Sequence, residues 1–585
     1  MKKLSILLFM CLSLSALHAQ KKISGQWEGS LAFGGGSLKI VFHFEQKSDG
    51  SLSGTMDSPD QGAYGITCDR VDIHGDTVIA QIFKINGGYT GVIINDSTLN
   101  GNWKQGNKAL PMNLHKRNGL PKTELPKLST SAHNISGIWS GKLATGSFHL
   151  TLAFHIDQQS DKTYSGKMDS PDQGVLGVDC DHVIITNDSV DIEVKPGIGM
   201  TGRLINDTTI SGSWNQGGKM LPFVVNKVKQ APQIPSRPQT PKPPFKYNSE
   251  DVEYDNADKS VHFGATFTYP KGKGPFPTAI LITGSGQQDR DETIFGHKSF
   301  AVIADYLSNR GIAVLRVDDR GIGKSTGDVV HATSADFADD VEVGLKYLKT
   351  RKEVDQKKMG MIGHSEGGLI ASIVAARNPD IDFVIMLAGP GVKGSEIIIK
   401  QTHDIYISDG VPVEAVNAYC VIFKKILEDF MASDDSAMVH KKVFADYDAW
   451  SRQQSKETLT ALKINTDSNG ENKIIHDFME GFSSPWTNYF IKTDPQPFIE
   501  KFKCKVLALN GEKDLQVNAD MNLKAIHDAL SKSKSPSFET KELPGLNHLF
   551  QDCKKCTVPE YQELEETFSP AALEVMWKWT EKHVM

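Results

Sequence analysis

The pentapeptide Gly363-His364-Ser365-Glu366-Gly367 is a G-x-S-x-G pattern, the spacing that presents a serine hydroxyl for covalent nucleophilic catalysis. A short apolar run, Met359 to Ile362, leads into it, and a helix-compatible segment beginning at Leu369 follows. Strand, sharp turn and helix in that order make a nucleophile elbow. The turn forces strained dihedrals on the serine, so its neighbours must be tiny, and Gly363, Gly367 and Gly368 meet that need. A plain Gly-rich turn is the rival reading, and the partners of Ser365 decide between the two.

A serine hydroxyl is a weak nucleophile at neutral pH and needs a base, which in turn needs an orienting acid. For an elbow serine the expected chain order is serine, acid, histidine. Val506 to Asn510 reads as a strand, and the turn after it ends at Asp514. Leu543 begins a loop that carries His548. Both follow the elbow in the required order and both sit at strand ends. Glu512 and Asp520 are rival acids, although Asp520 opens a predicted helix over 518–530, where a carboxylate serves the backbone. His527 falls inside that helix, and His364 points away from the serine in an elbow.

An oxyanion needs backbone donors. One is expected from the N–H of Glu366, the other from the loop Gly284-Ser285-Gly286-Gln287-Gln288, with Ser285 the first choice and Gly286 or Gln287 behind it. The charged run Asp289 to Glu292 reads as a salt-bridged rim of that loop. Asp318 to Ser325 is shaped like a phosphate loop but lacks the glycine five residues before Gly323, so it reads as a tight connection.

Around these residues strands and helices alternate. Strands are expected at 278–283, 313–317, 359–362, 383–388, 506–510 and 538–543. Helices are expected at 300–309, from Ser334 as N-cap, and at 570–583. Alternation of this kind gives a mostly parallel sheet covered on both faces, an α/β class. From about 394 to 497 the alternation stops and helical patterns dominate. An insertion after a strand lies over the strand C-termini, so it reads as a cap, with Trp450, Trp486, Tyr489 and Phe490 as its core or as pocket walls.

Upstream, two segments repeat at a period of about 112 residues: Trp27 with Trp139, Met56 with Met168, Cys68 with Cys180, Trp103 with Trp214. That period is far longer than a solenoid repeat, so two whole modules stand in tandem, at 20–117 and 133–228. Both are rich in β-formers broken by turn clusters and read as small antiparallel barrels or sandwiches. The tryptophans read as core fillers. The matched Ser-Pro-Asp-Gln-Gly loops read as shared turns, with a polymer or surface ligand as the alternative. Pro232, Pro235, Pro238, Pro241, Pro243 and Pro244 make 229–245 a semi-rigid spacer before the α/β domain at 246–585.

The first 19 residues read as an export signal: Lys2 and Lys3, an apolar Leu4 to Leu17, and small Ala19. The expected location is the periplasm or beyond the cell. A formal net charge of -7 argues against nucleic acid. No later stretch has the length and apolarity of a membrane span. Cys553 and Cys556 form a CxxC without a second pair, which favours a local disulfide or incidental thiols over redox or zinc chemistry.

Taken together, 247–585 resembles the α/β-hydrolase superfamily, closest to bacterial serine carboxylesterases described as serine-aminopeptidase-like. The resemblance rests on Gly284-Ser285-Gly286, Asp289 to Glu292, Asp319 to Ser325, Gly363 to Gly368, Gly511 to Asp514, Leu546 to Gln551, and Glu565 to Pro570. Thr283 departs from it, since many relatives carry histidine there. The resemblance implies acyl transfer to water on a small ester. Ser365 would attack, His548 would move the proton and Asp514 would hold the imidazole, with no metal or organic cofactor. A peptidase or amidase is the alternative within hydrolysis. A non-catalytic polymer-binding protein is the alternative outside it, and the ordered trio argues against that.

Overall fold

A computed structural model describes residues 23–33, 36–47, 51–58, 63–82, 87–105, 108–116, 134–145, 148–216, 219–465 and 468–585. The export-signal residues and residues 59–62 of the first matched Ser-Pro-Asp-Gln-Gly loop lie outside them. The main division of the chain falls between Gln233 and Ile234.

The N-terminal unit is all β. Its first sheet has ten strands and its second nine. In the second, Phe148–Gln158 pairs with both Gly137–Thr145 and Tyr164–Ser170, which joins the ends of the strand path into a barrel. The same aromatic pairing recurs in both sheets: Trp27 opposite Phe42, and Trp139 opposite Phe154. Each indole N–H satisfies itself on a carbonyl four residues back, Ile23 at 2.6 Å and Ile135 at 2.7 Å. That lets a large polar-tipped ring fill a core at no hydrogen-bond cost. Cys68 and Cys180 are free thiols, pushed up to about 11 mainly by burial, so neither is a thiolate at neutral pH.

The C-terminal unit holds an eight-stranded sheet. Its strands are β1 (Asn248–Asp255), β2 (His262–Tyr269), β3 (Phe276–Ile282), β4 (Ala313–Val317), β5 (Val354–His364), β6 (Phe383–Leu387), β7 (Lys505–Gly511) and β8 (Phe538–Leu543), in the order β1-β2-β4-β3-β5-β6-β7-β8. The first two pairings are antiparallel and the rest parallel. Strand periodicity sorts the residues. Ile280, Ile282, Met361 and Val384 face one helical layer, while Ala279, Leu281, Ile362 and Ile385 face the other. The first layer contains α2 (Ser334–Lys349), α3 (Glu366–Arg377) and α11 (Ala519–Leu530); the second contains α1 (Ser299–Ser308) and α12 (Pro570–His583).

Between β6 and β7 lie the helices of the insertion: α4 (Gly394–Ser408), α5 (Val413–Ala432), α6 (Ser436–Ser451), α7 (Lys456–Ala461), α8 (Ser468–Phe482), α9 (Pro485–Lys492) and the short α10 (Gln496–Ile499). They share a separate core in which Phe423, Leu427, Tyr447, Trp450 and Phe478 are buried. Trp450 is therefore a core residue, whereas Phe490 joins the core below the sheet.

One local expectation changes and another is extended. The N-cap of α2 is Thr333, not Ser334: the Asp336 carboxylate accepts the Thr333 N–H at 2.8 Å and its hydroxyl at 2.6 Å, leaving Ser334 free for another partner. The proline segment, expected as a semi-rigid spacer, is also anchored to the C-terminal unit. Arg237 donates to the carbonyls of Phe295, Gln562 and Leu564, and Gln239 bonds Thr567 and Phe568. A guanidinium satisfies several carbonyls that would otherwise be orphaned. Replacing Arg237 with alanine is expected to lower unfolding stability by roughly 2–3 kcal/mol, read as a fall in the denaturant midpoint with unchanged slope. No change would mean that the segment is held elsewhere.

Candidate active site

β5 ends at His364, and α3 begins one residue after Ser365. The turn between them holds Ser365 at φ 52°, ψ -122°, a region that L-residues avoid. Close backbone packing explains the flanking glycines. A Cβ on Gly363 would lie 2.1 Å from the Gly367 carbonyl oxygen, and one on Gly367 would lie 2.2 Å from that of Ile282. The Ser365 N–H donates to Leu387 O at 2.8 Å, which fixes the turn on the neighbouring strand. Glu366 N stands at the first position of α3, where an amide has no intrahelical acceptor.

Asp514 and His548 come from the ends of β7 and β8, and their side chains meet. His548 Nδ1 lies 2.7 Å from Asp514 Oδ2, and both side chains are buried. The other carboxylate oxygen, Oδ1, accepts the Gln516 and Val517 amides at 2.7 and 2.8 Å. With both oxygens acting as acceptors, Asp514 fixes the ring tautomer: Nδ1 carries hydrogen and Nε2 carries the lone pair. The rivals are elsewhere. Glu512 is exposed and holds Gly545 N and Lys513; Asp520 and His527 lie on α11, and Asp520 is exposed.

The loop from Gly284 to Gln288 is gripped by three carboxylates, the buried Glu292 and Glu366 and the half-buried Asp319. Asp319 accepts Thr283 Oγ1 at 2.7 Å and Gln288 N at 2.9 Å, bracketing the loop. Thr283, the departure from the family pattern, thereby has a defined structural job. Glu292 accepts Gly284 N at 2.8 Å, so that amide is spent, and Ser285, Gly286 and Gln287 remain the loop's candidate donors. Glu366 accepts Ser334 Oγ at 2.6 Å, Trp486 Nε1 from α9 at 2.8 Å, and the Ser285 hydroxyl. Burial raises the Glu366 carboxyl above its usual range. An apolar pocket of about 630 Å³, counting space open to solvent, adjoins this loop and is walled by Ile280, Ile282, Phe337, Val341 and Ile370.

The run Asp289–Glu292 is salt-bridged as expected, but Glu292 turns inward. Arg290 pairs with Asp318, Asp291 pairs with Arg316, and Glu292 is 2% exposed with its Oε1 2.9 Å from His364 Nδ1. His364 was set aside in the sequence because the residue before an elbow serine turns away from it. What it turns toward could not be read there. Tyr561 also carries no mark in the sequence; it is buried, and its hydroxyl accepts Gln516 Nε2 at 3.4 Å. Cys553 and Cys556 form a disulfide, and Glu560 accepts the Lys554, Lys555 and Cys556 amides of their turn. Bonded to each other, those sulfurs are not metal ligands.

Residues 297–417 match the family model described as Hydrolase_4, serine aminopeptidase S33. A stretch of 134 residues, 23% of this chain, is 37% identical to "Esterase EstD" of Thermotoga maritima, and it spans 32% of that protein. Among solved structures, the Pyrococcus furiosus esterase Pf2001 is 14% identical, with 58% of this chain and 92% of that one covered and a TM-score of 0.35. Est1E of Butyrivibrio proteoclasticus, solved with ferulic acid, is 16% identical, with 57% and 99% covered and a TM-score of 0.32. The C-terminal unit has the α/β-hydrolase fold.

Burial, more than any neighbour, pushes Asp319 up to about 7. Between the ordinary carboxylate range and about 7, the folded protein keeps a proton there that the unfolded chain has released. This group's contribution to stability therefore falls as pH rises through that window and is constant above it. Asp319→Asn removes the effect. The variant's Tm minus the wild-type Tm is expected to climb from pH 4 to pH 7 and then level off. A difference independent of pH would mean that Asp319 ionises normally.

Proposed function

We propose that this protein is an exported serine hydrolase that cleaves carboxylic esters of short acyl groups through Ser365, His548 and Asp514. The observation that carries the reading is the buried 2.7 Å contact between His548 Nδ1 and Asp514, at strand ends next to the strained Ser365 turn. Relatedness to a protein named as an esterase supports the substrate class.

In this reading Ser365 Oγ attacks the ester carbonyl, and His548 Nε2 takes its proton. Asp514 stabilises the imidazolium that forms. The oxyanion accepts from Glu366 N and from Ser285 N, since Gly284 N is already committed. The N-terminal end of α3 adds favourable potential for that negative charge. His548 then gives the proton to the leaving alcohol, and water releases the acyl group from Ser365 by the same route. No step calls for a metal or organic cofactor. Export rests on the leader sequence at 1–19.

The match to a family described as serine aminopeptidases favours a second reading, cleavage of an amide next to a free amine. A single panel separates the two: p-nitrophenyl esters of increasing acyl length against aminoacyl anilides. Short esters are expected to turn over fastest. Ser365→Ala is expected to reduce kcat by about 10³-fold or more on whichever substrate is preferred. Retention of wild-type turnover by that variant would overturn the assignment.

A further inference from the structure

The catalytic groups proposed above leave one buried ionisable pair unused. His364, immediately before Ser365, points its ring away from the serine. Its Nδ1 lies 2.9 Å from Glu292 Oε1, and its Nε2 lies 3.0 Å from the backbone oxygen of His548. The two imidazole rings stand 4.9 Å apart, centroid to centroid, and Phe550 closes the other side at 6.4 Å. His364 is 5% exposed and Glu292 2%.

Hydrogen counting makes Nε2 a donor and leaves one proton on the contact between Nδ1 and Glu292. A carbonyl only accepts, so Nε2 carries hydrogen. Glu292 Oε1 already accepts the Gly284 amide at 2.8 Å, and as a carboxylate it accepts from Nδ1 as well. With that proton on Nδ1, the pair is an imidazolium beside a carboxylate. Burial is the largest single influence and works against that charge, but Glu292, the His548 carbonyl and Asp514 together outweigh it and hold the His364 pKa above its ordinary value.

A buried pair of this kind is a poor investment in stability, because desolvation consumes most of the attraction. What it provides is position. We infer that Glu292 and His364 form a positioning pair that sets the base, His548, against the nucleophile, Ser365, and the oxyanion loop. The inference rests on the Ser365–His548–Asp514 reading. The residue adjoining the nucleophile holds the backbone of the base, so an error in one loop is not free to accumulate against the other. The same Glu292 oxygen holds Gly284, whose Cα is so placed that a Cβ would come within 3.1 Å of the Ser365 Cβ. Three segments far apart in the chain thus meet on one carboxylate oxygen and one ring. The pair is neutral overall, so it adds little net field against the imidazolium that His548 becomes.

The test compares Glu292→Gln, Glu292→Asp and His364→Gln with Ser365→Ala, using a p-nitrophenyl ester as substrate. Misplacement of reacting groups costs rate rather than binding. Glu292→Gln and His364→Gln are expected to lower kcat by about 10- to 100-fold with KM nearly unchanged. They should slow fluorophosphonate labelling of Ser365 in proportion. Glu292→Asp, which restores the carboxylate, should recover part of the loss. Folded Glu292→Gln and His364→Gln variants with wild-type kcat, alongside an inactive Ser365→Ala, would overturn the positioning role and leave the triad standing. An active Ser365→Ala would remove the triad, and this pair's role with it. Should the variants fail to fold, neutron diffraction from the unsubstituted protein decides: deuterium on both His364 nitrogens is expected, and a bare Nδ1 overturns the assignment.

Discussion

The tightness of one turn governs this site. Ser365 stands at positive φ because β5 must stop and α3 must start with a single residue between them. The chain can do so only where the flanking backbone comes nearly into contact: Gly363 against Gly367, and Gly367 against Ile282. That closeness couples the turn to β3, and β3 runs directly into the loop from Gly284 to Gln288. The Ser365 turn and the loop proposed to bind the oxyanion are therefore set by the same close contact between backbones. A strained conformation of order 1–3 kcal/mol persists because the surrounding strands over-determine it.

A second constraint is electrostatic. Glu292 and Glu366 are buried around that loop and Asp319 is half-buried there, and of the three only Glu292 faces a side chain able to carry positive charge. A buried carboxylate without a cation is costly unless its oxygens are well supplied with donors. Here they are supplied: Asp319 by Thr283 and Gln288, Glu366 by Ser334, Trp486 and Ser285. The donors are drawn from different elements, so satisfying each acid also fixes the elements relative to one another. The raised Asp319 and Glu366 carboxyls mark the residual cost of the arrangement.

How far the sequence discloses this depends on the kind of signal. Strands of the sheet core announce themselves as apolar runs, and β8 and α12 lie within the expected bounds because turn residues punctuate both ends. Ser365, Asp514 and His548 are marked by motif and by chain order at strand ends. Glu292 and His364 carry no such mark. Their pairing spans 72 residues, obeys no periodicity, and looks on paper like a surface charge run and a histidine incidental to the motif. Ser334 misleads for a related reason: serine is an excellent N-cap, but Thr333 with Asp336 takes that role and Ser334 turns inward. Arg237 hides inside a proline composition that favours a spacer, because composition reports stiffness and says nothing about where a guanidinium finds carbonyls.

Most of the insertion between β6 and β7 packs on a core of its own. It nevertheless has a direct line to α3. Phe490 of α9 packs into the core below the sheet, while Trp486, four residues earlier and on the same face, reaches Glu366. Glu366 also holds Ser285 and Ser334. A shift of α9 thus changes the donors of the acid that follows Ser365, and through Ser285 the loop beside it. In a site built this way, the packing of the insertion and the geometry of the proposed oxyanion loop are not independent: α9 is hydrogen-bonded to the residue whose amide is proposed to receive the developing charge.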